Sequence, residues 1–185
     1  MSTQIIPGSI GAIAKQSNKS IAESFISADA IAIVDTSGSM LSEDSRDNKS
    51  RYDVACEELA NLQNSLPGKI AVISFSDYTE FCPSGQPRLM GCGTNLAGAL
   101  QFCKIADVPG MRFIVISDGQ PDDRDQALGI AKTYKNRIDT IYVGPESNPS
   151  GRDFLTQLAK ASCGQTITAD RAKELASATR LLLNS

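Results

Sequence analysis

Histidine and tryptophan are both absent from this 185-residue sequence, and aromatic residues make up only 5% of it. Without histidine, the chain has no Ser-His-Asp triad, no Cys-His pair and no histidine-ligated zinc, so the chemistries that depend on these groups are excluded. A metal ion bound by this chain must be held by oxygen atoms or by thiolates. Because aromatic residues are few, the core must be built from Ile, Val, Leu and Ala.

The sequence also lacks a run of basic residues and a long apolar run. Its net charge is −3 and its pI is near 5.0, whereas a nucleic-acid surface needs a basic stripe. No stretch approaches the roughly 20 apolar residues of a membrane-spanning helix, and residues 1–15 lack the basic start and apolar run of a signal peptide. We therefore expect a cytoplasmic protein that binds neither nucleic acid nor membranes.

Cysteine is present, but not in the paired short spacings that zinc sites use. The number of cysteines is odd, and they stand at Cys56, Cys82, Cys92, Cys103 and Cys163. We interpret them as reduced, small and buried apolar residues, which agrees with a reducing compartment. A thiolate-held metal is the alternative that this spacing disfavours.

Apolar runs alternate with segments of helical periodicity along the chain. The pattern predicts strands over residues 30–34, 70–75, 79–82, 113–116, 140–143 and 165–168. It predicts helices over residues 52–66, 95–106, 122–136, 152–161 and 171–183, with a further helix over residues 9–27. Such alternation is typical of an α/β fold with a mostly parallel sheet and helices on both faces. We expect one domain over residues 29–185 and an N-terminal segment, residues 1–28, that packs on it.

Polar side chains gather where the predicted strands end. Asp35, Ser37 and Ser39 alternate directly after the first strand, and Asp118 follows the most apolar strand. Thr94 lies in the glycine-containing loop before the next helix. Ligands of doubly wound sheets bind beyond the carboxyl ends of the strands, so we expect these five side chains to share one site.

Carboxylates and hydroxyls are the oxygen ligands that suit a hard cation. Mg²⁺ prefers about six oxygen atoms in a near-octahedral shell and keeps several waters. The two carboxylates would balance its charge, while the neutral hydroxyls would leave it open to one more anionic ligand. Gly38 would let the backbone pass close to the ion. The sequence therefore predicts a Mg²⁺ site, with Mn²⁺ and Ca²⁺ as alternatives.

These motifs resemble the metal-ion-dependent adhesion site of von Willebrand factor type A domains. The matching pieces are Asp35-x-Ser37-x-Ser39 within VDTSGSM, Thr94 in Gly-Thr-Asn, and Asp118 in Ser-Asp-Gly. The resemblance implies that Ser37 and Ser39 ligate the ion directly, and that Thr94, Asp35 and Asp118 do so directly or through water. A Glu or Asp of a partner protein would take the remaining position.

The resemblance spans residues 30–168 and also concerns fold and role. It implies a Rossmann-like, doubly wound sheet of six strands in the order 3-2-1-4-5-6, with the third strand antiparallel. Small members of the family often work beside AAA+ ATPases or in stress and conflict systems, which implies a helper role for this chain.

The acidic and hydroxyl residues in and around this site also have simpler alternative roles. The Asp-x-Ser-x-Ser sequence alone is also typical of a helix N-cap, and capping is the favoured role for Asp122 and Asp123 as well. Glu43, Asp44 and Asp47 are interpreted as part of a solvated loop rather than as a second cation site.

Three functions are compatible with these residues, and we favour a non-enzymatic binding module. A Mg²⁺-dependent phosphohydrolase of the haloacid dehalogenase type also places an Asp after its first strand. Such an enzyme needs a second Asp two positions later, where this chain has Ser37. The third alternative is a structural protein whose site never holds a metal ion.

Overall fold

The computed structural model describes residues 5–44, 49–145 and 149–168, in which six strands alternate with helices. The strands are β1 (Ala30–Asp35), β2 (Ile70–Phe75), β3 (Thr79–Phe81), β4 (Arg112–Ser117), β5 (Ile138–Tyr142) and β6 (Thr166–Thr168). The α-helices are α1 (Ile10–Gln16), α2 (Ile21–Ile26), α3 (Arg51–Ser65), α4 (Leu96–Cys103), α5 (Arg124–Ala131) and α6 (Pro149–Ala161). Short 3₁₀ turns lie at Gly38–Leu41 and Lys104–Ala106.

The strands form one sheet in the order β3-β2-β1-β4-β5-β6. All neighbours are parallel except β2 and β3, which are antiparallel. A tight turn connects β2 to β3, and in it the Ser76 N–H donates a hydrogen bond to the carbonyl of Tyr78 at 3.0 Å. The Rossmann-like prediction is therefore confirmed, including the strand order and the antiparallel third strand.

The strands at the centre of the sheet are buried on both faces, which explains their continuous apolar sequences. Every residue of β1 is buried, and alternate residues belong to different layers of the core. Ile31 and Ile33 pack in the layer that contains residues of α4, α5 and α6. Val34 packs in the other layer with Leu59 and Leu62 of α3. Helices thus cover both faces, and β1 points its carboxyl end out between them.

Helix α5 is shorter than its sequence predicts. It begins at Arg124 rather than near residue 122, because the Asp123 carboxylate caps it by accepting the Gln126 N–H at 2.8 Å. It ends at Ala131 rather than near residue 136. The backbone N–H groups of Lys135 and Asn136 donate instead to the Asp107 carboxylate, at 2.8 and 3.0 Å. The side chain of Asp107, which is distant in the sequence, thus binds backbone N–H groups where the helix was predicted to continue.

The N-terminal region contains two short helices instead of the single helix predicted over residues 9–27. Asn18 interrupts them with a φ of 51°, a left-handed conformation that does not continue a helix. Ser20 then starts α2 with a capping box that it shares with Glu23. Ile10 of α1 is 1% exposed and packs in the core beside the sheet. The domain boundary at residue 28 stays a prediction.

The prediction that all five cysteines are buried is wrong for two of them. Cys82 and Cys103 are buried and Cys56 is half-buried, whereas Cys92 and Cys163 are exposed in turns. All five are free thiols. Of the described helices, none combines the length and apolar character needed to cross a membrane. The helix predicted over residues 171–183 lies outside the described residues.

Candidate metal centre

Asp35 closes β1 at the carboxyl edge of the sheet and has no exposed surface. One carboxylate oxygen accepts the Ser37 N–H at 2.9 Å, and the other accepts the Ser117 hydroxyl at 2.6 Å. Burial raises the pKa of Asp35 to about 6, against the lowering effect of these hydrogen bonds, and the negative charge of Asp118 adds to the increase. A cation beside this carboxylate would favour its ionised form.

Ser37 and Ser39 lie on the turn that follows β1. Their hydroxyl oxygens are 3.1 Å apart, so both face the same small region. The turn packs tightly against the loop before α4, since a Cβ on Gly38 would lie only 3.3 Å from the carbonyl oxygen of Gly91. Glycine at position 38 permits this close approach of two backbones.

Asp118 follows β4 and is 1% exposed. Its Oδ2 accepts a hydrogen bond from Nη1 of Arg51 at 3.0 Å, whereas its Oδ1 is buried without a hydrogen-bond partner among the described residues. Arg51 also donates through Nε and Nη2 to the two carboxylate oxygens of Asp44. These hydrogen bonds lower the pKa of Asp44. The loop predicted to be solvated therefore contributes Asp44, which holds the buried cation of Arg51 at the site.

Thr94 is buried, at 7% exposure, and is connected to the loop after β4 through its backbone. Its N–H donates to the Asp122 carboxylate at 3.0 Å, and its carbonyl accepts the Asp122 N–H at 3.1 Å. The sequence position of Asp122 suggested that it caps α5, but its carboxylate binds the backbone of Thr94 instead. It joins the two loops that carry Thr94 and Asp118.

The structure brings the predicted ligands together in two groups. Asp35, Ser37 and Ser39 form one hydrogen-bonded turn, which Ser117 connects to Asp118. Thr94 is joined by hydrogen bonds of its backbone to Asp122, which lies on the same loop as Asp118.

Sequence reasoning missed Ser117 and Arg51 at this site, and it favoured helix capping as the role of Asp122. Ser117 had a usable signal, because it precedes Asp118 in the Ser-Asp-Gly motif. Arg51 had none, since 67 residues separate it from Asp118 in the sequence.

The donor atoms fit a hard cation that prefers oxygen. Two buried carboxylates and two adjacent hydroxyls face the carboxyl end of β1, and one buried carboxylate oxygen, Oδ1 of Asp118, has no hydrogen-bond partner in the described part of the chain. Across the part of the chain that the structure describes, no group of three or more Cys, Asp or Glu side chains is arranged to hold a metal ion. A metal ion bound here would depend on hydroxyls as much as on carboxylates, which is compatible with Mg²⁺ or Mn²⁺.

No protein-family model matches this chain, and neither does any curated protein. Solved structures do match it. An aerotolerance-related membrane protein from Bacteroides fragilis is 18% identical, with a TM-score of 0.67 over 84% of this chain and 98% of the other. A von Willebrand factor type A protein from Catenulispora acidiphila is 17% identical, with a TM-score of 0.61 over 83% of this chain and 41% of the other.

A third similar structure is the manganese-loaded TRAP protein of Plasmodium vivax. It is 17% identical, with a TM-score of 0.55 over 80% of this chain and 70% of the other. At identities of 17–18%, these similarities concern the fold. The chain thus has a von Willebrand factor A-like fold.

Proposed function

We propose that this protein is a divalent-cation-dependent binding module that recognises an acidic side chain of a partner protein. Its metal ligands would be Asp35, Ser37, Ser39, Thr94 and Asp118. Mg²⁺ is the proposed resident ion, with Mn²⁺ and Ca²⁺ as alternatives, and the manganese-loaded TRAP structure supports a divalent ion on this fold. The protein would bind rather than catalyse.

The observation that carries the proposal is the buried Oδ1 of Asp118, which has no hydrogen-bond partner among the described residues. A buried carboxylate oxygen without a partner is destabilising, and a bound cation would satisfy it. Asp35 lies close enough for the charge of Asp118 to raise its pKa. A buried carboxylate whose ionised form is disfavoured by a neighbouring carboxylate is an electrostatic arrangement that a divalent cation relieves.

The chain's own residues then determine what kind of partner is recognised. Ser37 and Ser39 provide neutral oxygens, so the negative charges among the proposed ligands come from Asp35 and Asp118. A bound Mg²⁺ would supply an electrophilic centre that accepts an oxygen ligand. Since neutral ligands leave it more electrophilic, the favoured ligand from outside is a carboxylate, as an Asp or Glu of a partner provides.

A phosphohydrolase gains no support from the site. Both oxygens of Asp35 accept hydrogen bonds, one from Ser37 and one from Ser117, which opposes a role as nucleophile. The position two residues later is a serine, which is a poor general acid.

The first test is isothermal titration calorimetry of the protein with Mg²⁺, Mn²⁺ and Ca²⁺. We expect binding at a single site, lost in Ser39→Ala and in Asp35→Ala. Ser65→Ala is the matched control, because Ser65 is an exposed residue at the end of α3 whose hydroxyl donates to the carbonyl of Asn61. If no divalent ion binds to the folded wild-type protein, the proposal is wrong.

The second test concerns the partner. The protein is used to capture binding proteins from an extract of its native host, with Mg²⁺ or with EDTA, and Ser39→Ala serves as a second negative arm. We expect a partner that is lost in both negative arms and after replacement of one of its own acidic residues by the amide. A partner retained in EDTA would refute metal bridging.

An AAA+ ATPase or a component of a stress or conflict system is the partner class that we propose from the motif resemblance. A cytoplasmic location remains a proposal. The exposed free thiols of Cys92 and Cys163 support it, because a reducing compartment keeps such thiols from pairing.

A further inference from the structure

Arg51 places a positive charge directly at the candidate metal centre. Its side chain is 8% exposed, and its guanidinium lies between Asp118, at 3.0 Å from Oδ2, and the carboxylate of Asp44. Asp44 belongs to the loop between β1 and α3 and is 38% exposed on its side chain. One buried cation is thus shared between a proposed metal ligand and a loop residue outside the ligand set.

The position of Arg51 is unfavourable for a cation unless these carboxylates are present. Arg51 is the first residue of α3, and the positive end of a helix dipole disfavours cations in the first turn. Burial adds a desolvation penalty, since an arginine side chain cannot give up its proton. The hydrogen bonds to Asp44 and Asp118 offset both unfavourable effects.

Arg51 also changes the charge that a metal ion meets. Asp35 and Asp118 together contribute two negative charges, and the positive charge of Arg51 offsets one of them. Its Nη1 occupies one oxygen of Asp118 and leaves the other, Oδ1, without a hydrogen-bond partner among the described residues. A divalent ion at this site would share Asp118 with the guanidinium and would be repelled by it.

We propose that Arg51, held by Asp44, is a built-in cation that lowers the affinity of the site for divalent ions. The inference rests on the proposed function, because it concerns the metal site assigned there. Asp44 binds the same guanidinium as Asp118 and offsets part of its positive charge. The hydrogen bonds between the loop and the helix therefore set how strongly the site holds its ion.

The test is calorimetric titration of Mg²⁺ into Arg51→Gln, Asp44→Asn and the wild-type protein. Arg51→Gln should bind Mg²⁺ roughly tenfold more tightly, the effect expected for removing one unit charge near a solvent-screened ion. Asp44→Asn should bind it more weakly than wild type, because Arg51 then has Asp118 as its remaining carboxylate. Arg88→Gln is the control: it makes the same charge change at an exposed arginine, which pairs with Glu80, and should leave the affinity unchanged.

Thermal unfolding in EDTA and in Mg²⁺ gives a second readout for these variants. Arg51→Gln should be less stable than wild type in EDTA and should gain more from Mg²⁺, since tighter binding stabilises the native state more. If Arg51→Gln does not fold in EDTA, Arg51→Lys replaces it. Lysine keeps the charge but not the planar fork, so its Mg²⁺ affinity should lie within a few-fold of the wild-type value.

The outcomes separate this inference from the proposed function. Mg²⁺ binding by Arg51→Gln but not by wild type would support the inference and refute the function proposed for the natural chain. Wild-type binding that Arg51→Gln leaves equal or weaker would overturn the inference alone. Absence of binding in every variant would overturn both.

Discussion

The two carboxylates of the candidate metal centre should respond in opposite directions when their charge is removed. Asp35→Asn should stabilise the metal-free protein at pH 7, whereas Asp118→Asn should destabilise it. The difference follows from their partners. Within the described part of the chain, the groups that donate to Asp35 are uncharged, whereas Asp118 faces the guanidinium of Arg51. In Mg²⁺, both variants should lose the stabilisation that the wild-type protein gains from the ion.

The size of the Asp35 effect follows from its pKa. The rise from the ordinary value of 3.8 to about 6 corresponds to about 3 kcal/mol against the ionised form in the folded state. An asparagine avoids this penalty but has one oxygen for two donors, Ser37 and Ser117, and losing one hydrogen bond costs about 1 kcal/mol. The net expectation is a gain of about 2 kcal/mol. Asp118→Asn should lower the free energy of unfolding by about 2 kcal/mol, because it removes the charge of one carboxylate that faces the buried Arg51. The loss is limited because Arg51 retains Asp44 as a partner.

Urea denaturation in EDTA between pH 3 and pH 8 tests both values. Because the pKa of Asp35 is raised on folding, its ionisation destabilises the wild-type protein as the pH rises from about 4 to about 6. Asp35→Asn should therefore become more stable than wild type as the pH rises from about 4 to about 6. Below pH 4 it should be less stable, because the lost hydrogen bond is then the remaining difference. An Asp35→Asn protein that is less stable than wild type at pH 7 in EDTA would refute the reasoning.

Two further predictions concern residues outside the ligand set. Burial raises the pKa of Asp107, but the Lys104 ammonium and the hydrogen bonds from Lys135 and Asn136 outweigh it and hold the value at about 2. Asp107→Asn should therefore lose about 2 kcal/mol at pH 7, a difference that urea denaturation should show disappearing as the pH falls from about 4 to about 2. Gly119→Ala should destabilise the protein and weaken Mg²⁺ binding, since φ is +75° and a Cβ would lie 2.2 Å from the carbonyl oxygen of Gly151. Gly129→Ala, which meets nothing within 4 Å inside α5, should instead raise thermal stability by about 0.5–1 kcal/mol; equal effects of the two alanines would contradict this contrast.

The fold was predictable from the sequence because its strands are buried on both faces. A run such as that of β1 has no polar face, so its apolar residues are continuous and its end is marked by Asp35. The order of the strands came from the motif resemblance, and neither periodicity nor composition contains that information. The end of α5 was not predictable, because the carboxylate that stops the helix belongs to Asp107, on a different loop.

The candidate site was predictable only as far as local sequence reaches. Asp35, Ser37 and Ser39 lie within one turn, and their alternation was enough to place them together. The contact between Arg51 and Asp118 depends on how α3 begins over the end of β4, and no local pattern marks it. Asp122 illustrates the same limit, since its neighbour Asp123 took the capping role that either residue could have filled.

The reciprocal pair of hydrogen bonds between Thr94 and Asp122 has a mechanical consequence. It connects the segment before α4 to the segment after β4 through one bond between backbones and one bond from the backbone to a side chain. A force on Thr94 would therefore pull Asp118 along with it instead of separating the two. Any widening or narrowing around an ion should therefore leave the separation between Thr94 and Asp118 unchanged.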